Sequence, residues 1–382
     1  MEPLSMFRAR RARRARRTRP AAALLLLLAA LTSCGYGSRA DQVPAAAQAP
    51  AGGAGAKLSA GSVTLGYFPN LTHATALVGV REGLIQRELG GTALKTTTFN
   101  AGPAEIEALN AGSVDIAFIG PSPAVNGYVK SKGRNLRIVS GSASGGVKLV
   151  VNPERIKTLD DLKGKRIATP QLGNTQDVAF LNWASTRGWK VDAASGKGDV
   201  SVVRTNNTIT PDAYRSGSVD GAWVPEPTAS KLVAEGATVL LDESDLWPDR
   251  KFVITNVVVA QEFLTAHPDV VEAVLRGTVK TNEWINAHRD EAKASVNAAL
   301  KTLSGKELEP EVIDRAWPGI VVTDDPLAAT LRAQADHAVA AGLLERPDLT
   351  GIYDLGPLNQ VLGSLHRPPV TPPGPGFDDQ GR

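Results

Sequence analysis

Four short loops hold the side chains best suited to gripping a ligand. Pro121-Ser122-Pro123 puts a hydroxyl at the first turn of an expected helix, directly after Gly120. Gln171-Leu172-Gly173-Asn174-Thr175-Gln176 supplies amide and hydroxyl donors around a glycine that lets backbone approach closely. Asn70-Leu71-Thr72-His73 offers an amide, a hydroxyl and an imidazole, and Ser144-Gly145-Gly146 offers bare backbone. Helix N-termini present unpaired N–H groups and the positive end of the dipole, so they hold oxyanions without a full charge. The pattern predicts one tetrahedral or planar oxyanion among Asn70, Thr72, His73, Gly120, Ser122, Gly146, Gln171, Asn174 and Thr175. Any of the polar residues would serve equally as a plain cap, worth ~1 kcal/mol of stability.

Trp223 and Glu226 are further ligand candidates. Trp223 is either a cleft aromatic or a core residue. Glu226, between Pro225 and Pro227, is either an acceptor for a ligand amino group or a carboxylate favoured by a helix start. Catalytic and metal chemistry find little support. Gly141 to Lys148 imitates a phosphate loop, but its lysine comes one residue late and no Ser or Thr follows. Histidines 73, 267, 288, 337 and 366 make no pair at metal-ligand spacing, and no Gly-x-Ser-x-Gly elbow is present. The expectation is therefore a binding protein with no cofactor and no metal, not an enzyme.

The elements that must position these loops alternate. Strands are expected at 63–67, 94–99, 115–119 and 136–140, separated by helices at 74–89, 103–110 and 123–132. The theme recurs with strands at 148–151, 166–168, 200–203 and 222–224, a short helix at 158–162, and a helix from Asn174 to about Arg187. A long apolar strand, 253–260, leads into helices at 270–288, 291–303 and 327–341. Such switching between periods of two and 3.6 argues for α/β sheets covered by helices. One eight-residue word also repeats at an offset of 105: Gly112-Ser113-Val114-Asp115-Ile116-Ala117-Phe118-Ile119 and Gly217-Ser218-Val219-Asp220-Gly221-Ala222-Trp223-Val224. Each copy leads into a proline-containing loop at a strand's C-terminal end, the edge where open α/β sheets bind ligands.

The N-terminal residues have another purpose. Eight arginines between Arg8 and Arg19 precede an apolar run, Ala21 to Leu31, and then Leu31-Thr32-Ser33-Cys34-Gly35. A basic head and a short apolar stretch make an export signal, and the stretch falls short of the ~20 residues a spanning helix needs. Leu-Thr-Ser before the chain's one cysteine resembles the lipobox of bacterial lipoproteins, which implies lipidation of Cys34 and a membrane anchor on the extracytoplasmic face; an ordinary cleaved signal with an incidental cysteine is the alternative. General and twin-arginine export both stay open. Of the formal charge of +3, residues 1–33 contribute +7, so the remainder sits near −4 and the basic pI of about 8.9 is no argument for nucleic-acid binding. Once Cys34 is acylated no thiol remains for a disulfide or for chemistry.

Asp115-Ile116-Ala117-Phe118-Ile119-Gly120, with Phe99-Asn100-Ala101-Gly102 and Glu107-Ala108-Leu109 before it, resembles the solute-binding proteins of bacterial ABC importers. Leu159 to Ala168 is similar to the opening of their second lobe. Gly66-Tyr67-Phe68-Pro69-Asn70 and Ala222-Trp223-Val224-Pro225-Glu226-Pro227 resemble the branch that binds sulfonates, taurine and nitrate. The resemblance spans about 62–303 and implies a two-lobed periplasmic-binding-protein-like fold of type II. It implies hinge closure on a small anion, sulfonate-like above all, with nitrate, bicarbonate or a neutral pyrimidine as alternatives. It also implies an ABC permease and its ATPase as partners, with the receptor a monomer, and it adds Asn100 to the ligand candidates. A pyrimidine-precursor synthase of related fold and a docking lipoprotein are the other classes left open. The expected organisation is a signal at 1–33, a linker at 34–57, lobe one at 58–144, lobe two at 145–251, a return at 252–366, and a disordered tail at 367–382.

Overall fold

The computed structural model describes residues 57–371; the expected signal, the linker to residue 56 with Cys34, and residues 372–382 lie outside them. Eleven strands are present among the described residues: β1 Ser62–Tyr67, β2 Ala93–Thr98, β3 Ile116–Ile119, β4 Leu136–Gly145, β5 Val147–Val151, β6 Arg166–Thr169, β7 Ser201–Arg204, β8 Gly221–Pro225, β9 Thr238–Asp242, β10 Val253–Ala260 and β11 Ile320–Val322. They make two sheets, in the orders β11-β4-β10-β3-β1-β2 and β7-β6-β8-β5-β9. In the first, β1 runs parallel to β2 and β3, while β10 is antiparallel to β3 and β4. In the second, β6 runs parallel to β7 and β8, while β5 is antiparallel to β8 and β9. Five strands of each sheet thus share one plan. The chain crosses from β4 to β5 through Gly145-Gly146 and returns along Glu243–Phe252 into β10. The fold is the expected two-lobed α/β architecture.

Helices cover the sheets, so the central strands are buried on both faces and read as continuous apolar runs. β10 is the clearest case, with every residue from Val253 to Val259 buried. The helix Pro268–Ala287 packs closely on the helix Leu84–Leu89; a Cβ on Gly277 would stand 2.7 Å from Ile85 Cα.

The repeated word folds the same way twice. It follows the helix Gly102–Asn110 in one sheet and Thr210–Arg215 in the other. Gly112 and Gly217 both take φ +69, a left-handed turn that glycine adopts without steric cost. The amide of Ser113 reaches back to Ala108 O at 2.9 Å, and that of Ser218 to Ala213 O at 2.8 Å. The carboxylate of Asp115 accepts the Thr64 amide at 2.7 Å, and that of Asp220 accepts the Arg166 amide at 2.9 Å. Each aspartate thereby sets the register of its parallel neighbour.

Some expectations need correction. The single helix at 74–89 is two, Ala74–Arg81 and Leu84–Leu89, because Gly83 turns to φ +68. β4 runs five residues beyond Ser140, to Gly145. Strands β9 and β11 and the helices Thr228–Ala234 and Gly356–Ser364 carry no period strong enough to find them. The tail does not loosen at Arg367. Its Nη1 donates to Asp324 Oδ2 at 2.8 Å, and the Val370 amide donates to Asn359 Oδ1 at 2.8 Å. Arg367 closes a buried chain in which Thr75 donates to Asn282 at 2.7 Å and Asn282 donates to Asp324 at 2.7 Å.

Candidate functional site

Three helix starts meet where the two sheets face each other. The helix Pro121–Lys130 begins after Gly120 at the end of β3. The helix Thr175–Thr186 begins after Asn174 beyond β6. A single 3-10 turn, Leu71–His73, leads into the helix Ala74–Arg81 beyond β1. Prolines at 121 and 123 lack an N–H, so Ser122 holds the free amide between them.

The halves touch at this point. The Gly102 amide donates to Asn174 Oδ1 at 3.4 Å, and the Leu71 amide donates to Glu226 O at 3.2 Å. A Cβ on Gly120 would lie 2.5 Å from Thr175 Oγ1. Between them is a cavity of about 20 Å³, lined by Phe68, Asn70, Thr72, His73, Gly120, Asn174, Thr175, Gln176, Asn207, Pro225 and Ile254. That is room for about one water. It adjoins a larger space of about 480 Å³, and a second space of the same size lies beyond that one at Phe99 and Asn100. The first shares Phe68, Asn70 and Asn207 with the small cavity; the second holds Asn100 and Gln171 beside Arg204 and Asn206. Either is wide enough for a small organic molecule.

The inner wall is polar and carries no Lys, Arg, Asp or Glu. Several of its polar atoms are unspent. Asn70 Oδ1, Thr175 Oγ1 and Asn207 Oδ1 are buried without a partner, as is Ser122 Oγ on the first helical turn after Gly120. Buried polar atoms left unpaired cost stability and mark a place for an absent group. His73 stacks on Phe68 with ring centroids 4.5 Å apart, and its Nδ1 accepts the Phe68 amide at 3.3 Å. That bond puts the ring proton on Nε2. Burial drives the imidazole pKa down to about 3, so it is a neutral donor. The arrangement can hold a polar or anionic group by hydrogen bonds and helix ends.

Of the sequence candidates, Asn70, Thr72, His73, Gly120, Asn174 and Thr175 come together here, with Ser122 adjacent and Asn100 and Gln171 farther out. Three stand elsewhere. Gly146 lies at the crossing, where its carbonyl accepts the Glu226 amide at 2.8 Å. Trp223 is fully buried against Phe180 and Trp183, so the core alternative holds. Glu226 is also fully buried; it pairs with Lys148 Nζ at 2.8 Å and accepts the Ser230 amide at 2.9 Å. The amino group it meets is the protein's own. Sequence reading passed over Phe68, Gln176, Asn207, Pro225 and Ile254 as ligand residues. The polar run Thr205 to Thr208, directly after β7, was the available signal for Asn207.

Comparison with known proteins agrees with the fold. The model of the NMT1-like family matches residues 56–301. A protein of Brucella abortus strain 2308 is 28% identical over 217 residues, which is 56% of this chain and 63% of that protein. The taurine-binding periplasmic protein of Escherichia coli K12 is 26% identical over 218 residues, 57% of this chain and 64% of its own. The match therefore spans less than two thirds of these curated relatives. Among solved structures, the alkanesulfonate-binding protein of Xanthomonas axonopodis pv. citri, bound to MOPS, superposes with a TM-score of 0.62 at 23% identity, over 75% of this chain and 96% of that one. The periplasmic nitrate-binding protein of Synechocystis PCC 6803 superposes at 0.69 with 14% identity, over 82% and 91%. These likenesses establish the fold.

Proposed function

The chain belongs to the NMT1-like family, and from that premise we propose that it is the extracytoplasmic solute receptor of an ABC importer, capturing a small oxyanion and handing it to a permease and its ATPase. The observation that carries this reading is the pair of unpartnered hydroxyls, Ser122 and Thr175, at helix starts on the two halves, beside a neutral His73 donor. An alkanesulfonate or taurine suits it: three oxygens spread one charge over many N–H and O–H donors. The larger space outside, lined by apolar and charged residues together, takes the rest of the molecule. The receptor acts as a monomer, tethered through a lipidated Cys34. Cys34→Ala would then release it from the membrane fraction. Among the described residues no helix is long and apolar enough to cross a membrane.

A second reading has one observation in its favour. With no cation on the inner wall, a neutral planar ring such as an aminopyrimidine would also be accommodated in the larger space that adjoins it at Phe68, Asn70 and Asn207. Thermal unfolding with alkanesulfonates, taurine, nitrate, bicarbonate and aminopyrimidines separates the two. A solute at a hundred times its Kd adds ~2.7 kcal/mol of stability. A shift with sulfonates that Ser122→Ala and Thr175→Ala diminish supports the first reading. A shift with aminopyrimidines alone replaces it by the second, and no shift with any of them refutes both.

A further inference from the structure

A second pocket, of about 230 Å³, lies away from the cleft residues. Three tryptophans line it: Trp183 from the helix Thr175–Thr186, Trp223 from β8 and Trp247 from the return segment. Trp183 and Trp223 pack with ring centroids 5.6 Å apart. Glu243 lines the same pocket with 2% exposure, and its Oε2 accepts the Trp223 indole N–H at 2.6 Å. The Trp247 side chain also hydrogen-bonds to this carboxyl. His337, from the helix Ala328–Ala340, closes the far side against Trp247 at 5.3 Å. No lysine or arginine lines the space.

Two features of the pocket need a common cause. A neutral amide would accept the two indole N–H groups as well as a carboxylate does, without the cost of burying an acid. Burial raises the Glu243 pKa to about 7, which measures that cost. Second, indole faces attract cations, most of all where water is excluded. Trp183 already carries one such contact, with the Arg187 guanidinium 5.2 Å from its ring centre. A buried carboxylate ringed by indoles, with no cation of its own, is complementary to a small organic cation.

We propose that this pocket binds a small alkylammonium cation, held by the Glu243 carboxylate beside the indoles of Trp183 and Trp247. The site is separate from the cleft and does not depend on which solute the cleft takes.

The test is a titration of intrinsic tryptophan fluorescence with choline chloride, against sodium chloride at equal ionic strength. The comparison ligand is 3,3-dimethylbutan-1-ol, the uncharged isostere of choline. Choline should give a saturable change, and the alcohol should bind at least ~10-fold more weakly, since only the cation gains the electrostatic attraction. Glu243→Gln should lower choline affinity toward that of the alcohol, leaving only the indole contribution. Ala179→Phe, which fills the pocket and keeps the carboxylate, should abolish both responses. The proposal is overturned if choline produces no saturable change, if choline and the alcohol titrate alike, or if either folded variant binds choline as well as the parent protein. Should Glu243→Gln fail to fold, the isostere comparison and the Ala179 variant decide.

Discussion

Acid should weaken this protein through His73, by an amount that can be worked out. Its ring is 2% exposed, stacked on Phe68, and its one ring acceptor is taken by the Phe68 amide. In the unfolded chain the imidazole takes a proton near its ordinary value of 6.5; in the folded protein burial delays this to about 3. Between those values the unfolded state binds more protons, so stability rises with pH across the window. It is fully present above 6.5 and drains away as pH falls toward 3. At 1.36 kcal/mol per pH unit the loss is ~2 kcal/mol by pH 5 and ~5 kcal/mol by pH 3. Two other buried groups act in the opposite direction. Burial raises the carboxyls of Glu105 and Glu243 above their ordinary 4.5, so their contributions weaken folding as pH rises from that value. The comparison must therefore be between the parent protein and His73→Gln, which keeps an acceptor for the Phe68 amide and cannot titrate. Urea unfolding of both, at pH 7, 6, 5 and 4, cancels every shared group. The parent should lose ~2 kcal/mol relative to the variant between pH 7 and pH 5. A difference that stays flat over that interval would mean that the imidazole is protonated or exposed in the folded state, and the neutral-donor account of the cavity would fail with it.

Three further outcomes are expected. Gly120→Ala suits the local backbone, with φ −67, yet its Cβ would stand 2.5 Å from Thr175 Oγ1 on the opposing half; overpacking of ~1–3 kcal/mol there should weaken solute binding by ~5- to 150-fold in a titration, and undiminished affinity would show that the halves do not close on ligand at this contact. Glu105 has both carboxyl oxygens buried without a partner, so Glu105→Met should stabilise the protein by ~1–3 kcal/mol in urea at pH 8 and by less at pH 4. Burial works against ionisation of Asp220, but hydrogen bonds from the Arg166 side chain and amide and from Arg155 outweigh it and bring its pKa to about 2. Its stabilisation is therefore present above 3.8 and lost as pH falls through about 2. Asp220→Asn should then cost ~2 kcal/mol at pH 7, and Asp115→Asn less, because among the described residues no arginine pairs with Asp115; equal losses at the two sites would contradict this.

Most of the α/β order was legible because strands buried on two faces must be apolar throughout, as in β10, and because glycine marks the helix ends at Gly112 and Gly217. The elements that escaped were short or lay at the edges of the sheets. β11 is three residues and β9 is half-exposed, and each exists because a neighbouring strand pairs with it, which is information about another part of the chain. The site divides in the same manner. Helix-start chemistry is local, so Asn70, Gly120, Asn174 and Thr175 could be named from their own surroundings. Whether a side chain faces the cleft depends on what packs behind it. Trp223 lies within the second copy of the repeated word and Glu226 just after it, as Gly120 does after the first, but Phe180 and Trp183 fill the space beside one, and Lys148 reaches the other.

The repeat explains why the unspent polar groups gather where they do. Each copy ends a helix at glycine, anchors its aspartate on a parallel neighbour and delivers a strand whose last residues point to the same edge of its sheet. Two sheets built on one plan and joined through Gly145-Gly146 turn those edges toward each other. Helix starts at the edges then converge, and their free N–H groups have no partner unless something enters between them. Loops of opposite charge at the edges would have closed the gap with ion pairs. Instead the inner residues are Asn, Thr, Gln and a neutral His, which neither repel one another nor satisfy one another fully. Such a surface closes readily but keeps hydrogen-bonding capacity, hydroxyl donors and amide acceptors alike, for a guest.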